Sequence, residues 1–188
     1  MRVSVINQKG GVGKTPLALT IARDLDAYLI TNDDSVVEES YPDMAMIQDE
    51  PVLLDDDINV VYDFGGFIAP AVLHIIEKSN IVLVPTDKKI DSLQRTVKTI
   101  LNIEKYNKNI FIVATRWKNE KELNEIKSEL SEVVDYPILE LKYTSLYEKI
   151  VERQKSLLDM ERENPLLRKN CELIFKQYKK ILKTIKGE

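Results

Sequence analysis

Cysteine is nearly absent from this 188-residue chain. A lone Cys171 leaves no partner for an internal disulfide, which excludes a disulfide-stapled scaffold and suits a reducing compartment. Long hydrophobic runs are missing too. Stretches such as Ile81-Val82-Leu83-Val84 are far short of a bilayer span. The start, Met1-Arg2-Val3, passes directly into a β-branched run and leaves no room for a signal peptide, so a cytoplasmic protein is expected. The one histidine, His74, lies inside the apolar pattern Val72-Leu73-Ile75-Ile76 and reads as a packed or surface residue rather than a ligand or base. No internal repeat, low-complexity tract or linker interrupts the chain.

What is present is globular: 44% hydrophobic and 31% charged residues, enough for one domain spanning 1–188 with a substantial core. The net charge of −4 hides an asymmetry. Residues 149–186 hold eleven Lys/Arg against five Asp/Glu, a net +6, which leaves −10 on the rest. A basic, helical C-terminal section (145–188) on an acidic body is a candidate footprint for DNA or an anionic membrane, or simply a solvated face.

Glycine is scarce, six in all, yet three stand together at 10, 11 and 13. They follow the strand-like Val3-Ser4-Val5-Ile6 in Asn7-Gln8-Lys9-Gly10-Gly11-Val12-Gly13-Lys14-Thr15 and precede a helical pattern. A strand opening through a glycine-rich turn into a helix is how a phosphate-binding loop is built. Gly10, Gly11 and Gly13 let the backbone, Val12 included, bring N–H groups close to phosphate oxygens. Lys14 adds a point charge at the β/γ-phosphates, the Thr15 hydroxyl is a candidate Mg²⁺ ligand, and the helix directs its positive end at the anion. The first glycine of the general G-x-x-x-x-G-K-[ST] pattern is replaced by Gln8.

Lys9-Gly10-Gly11-Val12-Gly13-Lys14-Thr15 instead fits K-G-G-x-G-K-[ST], with a second, early lysine. Here the sequence resembles the deviant Walker A ATPases, especially small ParA-type partition ATPases, with the membrane-associated MinD type as a sister group. The resemblance spans roughly residues 2–155. It implies a doubly wound, mostly parallel α/β sheet with helices on both faces, ATP and Mg²⁺ as ligands, and a nucleotide-sandwich homodimer in which Lys9 reaches the partner's ATP. It also implies non-specific DNA binding, nucleoid association and a centromere-binding, ParB-like adaptor.

The rest of the chain carries further points of resemblance. Pro16 is sterically acceptable in the first helical turn but has no N–H for the α-phosphate, where relatives commonly have Thr or Ser. Weaker nucleotide binding is therefore expected. After the strand Tyr28–Thr31, Asn32-Asp33-Asp34-Ser35 stands where relatives have D-x-D-P-Q. The alignment makes Asp33 the residue that positions the attacking water, with Thr31, Asp34 and Ser35 departing from the pattern; an Asx turn or helix cap is the plain alternative. Residues 35–57 read as acidic loop with one short strand around Met44–Gln48.

Ile58-Asn59-Val60-Val61-Tyr62-Asp63-Phe64-Gly65-Gly66 looks like a Walker B strand entering switch II, with Asp63 48 residues after Thr15. Asp63 would hold Mg²⁺ through water from the strand's carboxyl end, and Gly66 would approach the γ-phosphate. Asn80–Thr86 and Asn109–Arg116 are buried strands, Ile90–Lys105 and Glu120–Glu132 amphipathic helices, and Tyr136–Leu141 a last strand. In relatives the loop after Asn109–Arg116 lies beside the adenine, so Arg116 or Trp117 is a candidate to stack on the base, with simple packing the alternative for Trp117.

From Ser145 to Lys186 the chain reads as helix broken near Asn164-Pro165. Its final segment sets Ile174, Phe175, Tyr178, Ile181, Leu182 and Ile185 on one stripe with lysines mostly off it, the pattern of a membrane-lying helix or of a packed helix presenting lysines to DNA. The expected function is an ATP-dependent dimerising ATPase switch for plasmid or chromosome partitioning. A MinD-like membrane-surface ATPase and a non-hydrolysing nucleotide sensor are the alternatives. No room precedes the first strand for an N-terminal helix-turn-helix extension, so sequence-specific operator binding is not expected.

Overall fold

The computed structural model describes residues 1–32, 45–47, 51–55, 57–66 and 68–188. Among these, seven strands form one sheet: β1 (Arg2–Asn7), β2 (Tyr28–Thr31), β3 (Ala45–Ile47), β4 (Val60–Gly65), β5 (Ile81–Thr86), β6 (Ile110–Thr115) and β7 (Ile138–Leu141). Their order is β3-β2-β4-β1-β5-β6-β7, and every neighbouring pair is parallel. The helices are α1 (Lys14–Asp24), α2 (Pro70–Lys78), α3 (Ile90–Ile103), α4 (Glu120–Ser131), α5 (Leu146–Arg153), α6 (Leu157–Glu163), α7 (Pro165–Asn170) and α8 (Glu172–Lys186).

Side-chain alternation along the strands builds two cores. Val3, Val5, Leu29, Val61, Leu83 and Leu141 face α1, α5, α6 and α8. Ile6, Ile30, Tyr62, Phe64, Val84 and Ile112 face α2, α3 and α4. Strands buried on both faces read as the near-continuous apolar runs seen in the sequence. Central β1 lies between β4 and β5, so the crevice for a ligand opens at its carboxyl end, where the glycine-rich loop begins.

Pairing and capping set several boundaries. β4 continues through Asp63 to Gly65 because β1 pairs with it in register as far as Asn7↔Gly65. The helix after the loop begins at Lys14, two residues before Pro16, which is tolerated because amides of a first helical turn have no intrahelical acceptor to lose. The C-terminal section has more breaks than Asn164-Pro165 alone. Gln154 adopts φ 53°, Ser156 caps α6 through a reciprocal capping box with Asp159, and Cys171 separates α7 from α8.

The stripe on α8 is fully used by the fold. Ile174, Phe175, Tyr178, Ile181, Leu182 and Ile185 are all buried in the first core. At about 1.5–3 kcal/mol for each buried large apolar side chain, exposing this stripe to water costs on the order of 10 kcal/mol. Of the arrangements the sequence allowed for this stripe, the structure shows the helix packed on the sheet. Among the described residues no helix is long and apolar enough to cross a membrane.

Candidate functional site

The loop between β1 and α1 is fixed by groups far away in sequence. At its root, buried Asn7 donates through Nδ2 to the Pro85 carbonyl (2.7 Å) and to Thr96 Oγ1 (2.8 Å), while its Oδ1 accepts from the Lys9 amide (2.9 Å). The Gln8 amide donates to Thr99 Oγ1 on α3 at 3.3 Å. At the apex, the buried Thr115 hydroxyl lies 2.7 Å from the Val12 carbonyl and 2.9 Å from that of Thr86. Gly11 (φ 79°) and Gly13 (φ 88°) occupy the left-handed region, where a Cβ is strained. No acidic residue stands in the first turn of α1, so its positive end remains available to an anion.

The two loop lysines point to different places. Lys14 is buried, and its Nζ folds back to donate to the Lys9 carbonyl at 3.2 Å. Lys9 instead extends to the surface and pairs with exposed Asp91 of α3 at 3.4 Å. Thr15 Oγ1 donates to Asp63 Oδ2 at 2.7 Å, joining the start of α1 to the fully buried carboxylate on β4. This hydroxyl–carboxylate pair fits Mg²⁺, which takes one or two protein oxygens and fills its other positions with phosphate and water. Among the described residues no cluster of three or more His, Cys, Asp or Glu side chains offers an all-protein metal cage.

Beside this pair, Asn32 clamps the end of β4: its Oδ1 accepts from the Gly65 amide at 2.8 Å and its Nδ2 donates to the Gly65 carbonyl at 3.3 Å. Gly66, at φ 67°, follows directly, with open space where a Cβ would be. Asp33, the expected water-positioning residue, lies outside the described residues, as do Asp34 and Ser35.

The structure brings Lys9, Gly10, Gly11, Val12, Gly13, Lys14, Thr15, Pro16, Asp63 and Gly66 to one sheet edge. Arg116 joins them. It adopts φ 58° and its Nε lies 4.0 Å from where a Cβ on Gly13 would be. Trp117 does not. It is 1% exposed within the second core, so it cannot stack on a base, and packing is its role. His74 is exposed on α2, 3.6 Å from Glu77, far from any ligand role.

Sequence reading missed Asn7, Asn32, Thr96, Thr99 and Thr115 as loop-setting residues. For Asn7, Asn32 and Thr115 the only local signal was a polar residue at the carboxyl end of an otherwise apolar strand; Thr96 and Thr99, inside α3, carried none.

The comparisons agree with this geometry. The model of the CobQ/CobB/MinD/ParA nucleotide binding domain (CbiA) matches residues 3–158. Among solved structures, apo McdA from Cyanothece is similar at a TM-score of 0.71 and 14% identity, covering 96% of this chain and 98% of that one. The MinD cell division protein of Aquifex aeolicus is similar at 0.65 and 15%, covering 100% and 97%. A putative plasmid partition protein from Borrelia burgdorferi B31, bound to AMPPNP, is similar at 0.61 and 13%, covering 81% and 96%. A comparison with curated proteins found no significant match. At such identities the structural likeness speaks for the fold, and it is a ParA/MinD-type P-loop fold. With more than four-fifths of its length matched by that one model, the chain belongs to the CobQ/CobB/MinD/ParA nucleotide-binding family.

Proposed function

We propose that this protein is an ATP-driven dimerising switch for DNA partition, holding non-specific DNA when two ATP-bound copies close and releasing it on hydrolysis. The observation that carries the reading is the division between the two lysines. Lys14 is committed to its own loop, whereas Lys9 turns away from it to a surface pair with Asp91, which supports a role for Lys9 outside its own loop.

In this reading Lys14 and the loop amides hold the β- and γ-phosphates, and Thr15 and Asp63 hold Mg²⁺. Mg²⁺ supplies neutralisation of charge on the transferring phosphoryl group. Asp33 orients water in line with the γ-phosphate, and Lys9 from the facing copy meets the charge that develops there. The Asn32–Gly65 clamp seats Gly66 so that loss of the γ-phosphate is felt at the end of β4. In this reading Arg116, whose Nε is 4.0 Å from a Cβ position on Gly13, contacts the base. The DNA-facing surface is α7–α8, where Arg168, Lys169, Lys176, Lys180, Lys183 and Lys186 are exposed or half-buried and have no carboxylate partner among the described residues. A centromere-binding, ParB-like adaptor stimulates turnover, and the protein resides in the cytoplasm on the nucleoid.

Light scattering tests the switch. ATP with Mg²⁺ should double the solution mass, ADP should not, and Lys9→Ala should remain monomeric with ATP. A normal ATP dimer in Lys9→Ala contradicts the reading. Pro16, at the third position of α1, favours a second reading in which nucleotide is sensed without hydrolysis. Multiple-turnover phosphate release, with and without DNA, separates the two.

A further inference from the structure

Among the described residues Lys9 has one anionic partner. Its Nζ lies 3.4 Å from Asp91 Oδ2, with the Lys9 side chain 30% and the Asp91 side chain 59% exposed. The backbones that carry this pair are fixed to each other. The Lys9 amide donates to Asn7 Oδ1 at 2.9 Å, Asn7 Nδ2 donates to Thr96 Oγ1 at 2.8 Å, and the Gln8 amide donates to Thr99 Oγ1 at 3.3 Å. Thr96 and Thr99 belong to α3, whose first turn carries Asp91. Loop and helix thus keep Lys9 and Asp91 within reach, and only side-chain torsions separate a paired lysine from a free one. The surroundings are otherwise cationic. A cleft of about 840 Å³ beside the loop is lined by Lys9, Arg95, Lys98 and Lys105, and Asp91 is its one acid among the described residues. Arg95 stands one helical turn along from Asp91 and competes for the same carboxylate. Without Asp91 the Lys9 ammonium meets only like charge in this cleft.

We propose that Asp91 is a positioning residue for Lys9: it holds the lysine against its own chain until a facing copy's triphosphate draws the ammonium away, so that closing a dimer requires two such pairs to open. The use of Lys9 across the dimer rests on the function proposed above; the hold itself does not. The strength of the pair suits this task. An exposed ion pair shifts an equilibrium by only about 1.4- to fivefold, so it delays Lys9 without trapping it. ATP presents charge at the γ-position where ADP has none, and is therefore the nucleotide that competes with Asp91. In a twofold-symmetric dimer both copies open their pair, and the effect on the dimer constant is squared, about twofold to thirtyfold.

The test has two readouts on the full chain. In nucleotide-free protein, the ¹⁵N signal of the Lys9 ammonium, assigned by its loss in Lys9→Gln, should move in Asp91→Asn and stay near its natural position in Asp91→Glu. An unmoved signal in Asp91→Asn overturns the hold. Light scattering across a protein dilution series with ATP·Mg²⁺ then reads the consequence. Asp91→Asn should lower the concentration of half-dimerisation by about twofold to thirtyfold, and Asp91→Glu should behave as the natural protein. With ADP all of them should remain monomeric. In a Lys9→Gln background the Asp91→Asn change should have no effect, which separates a hold on Lys9 from a purely structural role of Asp91 in the first turn of α3. An unchanged or weaker ATP dimer in Asp91→Asn, or the same gain in both backgrounds, overturns the proposal. A natural protein that never dimerises with ATP contradicts the switch instead, and the ammonium signal still decides whether Asp91 holds Lys9.

Discussion

Lys9 and Lys14 stand five residues apart and spend their charge on different targets, which makes them separable by mutation. Lys14→Ala should remove most nucleotide affinity, about 1.5–3 kcal/mol for the charge-assisted bonds alone, measured by titration calorimetry with ATP·Mg²⁺. Lys9→Ala should keep binding ATP to within a few-fold in the same assay. Pro16 supports a third prediction: Pro16→Thr returns one N–H to the loop and should tighten ATP binding by about 1 kcal/mol, roughly fivefold. An unchanged affinity would show that no phosphate oxygen faces that position. The loop itself was legible in the sequence because its pattern is contiguous. Asn7, Asn32 and Thr115 were not, because their partners lie 78, 33 and 103 residues away, a distance that no local spacing reveals. Trp117 was ambiguous for a related reason: periodicity places it at a strand's end, and only the packed second core decides that the ring points inward.

At the scale of elements, α1 joins the phosphate loop to the C-terminal helices through one buried carboxylate. Asp24, at the end of α1, accepts from Ser156 Oγ at 2.6 Å and from the Tyr178 hydroxyl at 2.8 Å, with Arg162 4.0 Å away. Burial raises its pKa above the ordinary 3.8 despite the two hydrogen bonds that favour the carboxylate. A raised folded value means that the folded state binds the extra proton. Asp24's contribution to stability is therefore fully present below 3.8 and is lost as the pH climbs through its folded value. In denaturant melts, the stability difference between the natural protein and Asp24→Asn should accordingly move against the natural protein as the pH rises from that point. A pH-independent difference contradicts the account.

Ser156→Ala removes both the cap of α6 and a donor to Asp24, and should cost about 1–3 kcal/mol in the same melts. The helix periods of α3, α4 and α8 were readable, and so was the short edge strand at Ala45–Ile47. The breaks around α6 and α7 were harder to read, since they depend on an αL residue at Gln154 and on capping contacts rather than on hydrophobic period.

For the whole molecule, charge is distributed by face. The apolar stripe of α8 is sealed against the sheet, and the same rotation turns Lys176, Lys180, Lys183 and Lys186 to solvent. Lys179, by contrast, is tied to Glu161 at 2.7 Å. Reversing Lys176 and Lys183 to Glu should lower DNA affinity by about tenfold or more at moderate salt and flatten its salt dependence, with ATP binding unchanged. The sequence predicted the basic tail but not its use, because an amphipathic stripe looks alike whether a bilayer or the protein's own core covers it.

The central claim, that ATP at the loop controls a DNA-holding surface, is tested most directly by binding to a random duplex at moderate salt with ATP·Mg²⁺ and with ADP, using Lys14→Ala as control and anionic liposomes in parallel. The account predicts salt-sensitive DNA binding with ATP, little with ADP or in Lys14→Ala, and none to liposomes. Nucleotide-independent DNA binding, or binding to liposomes and not to DNA, would contradict it.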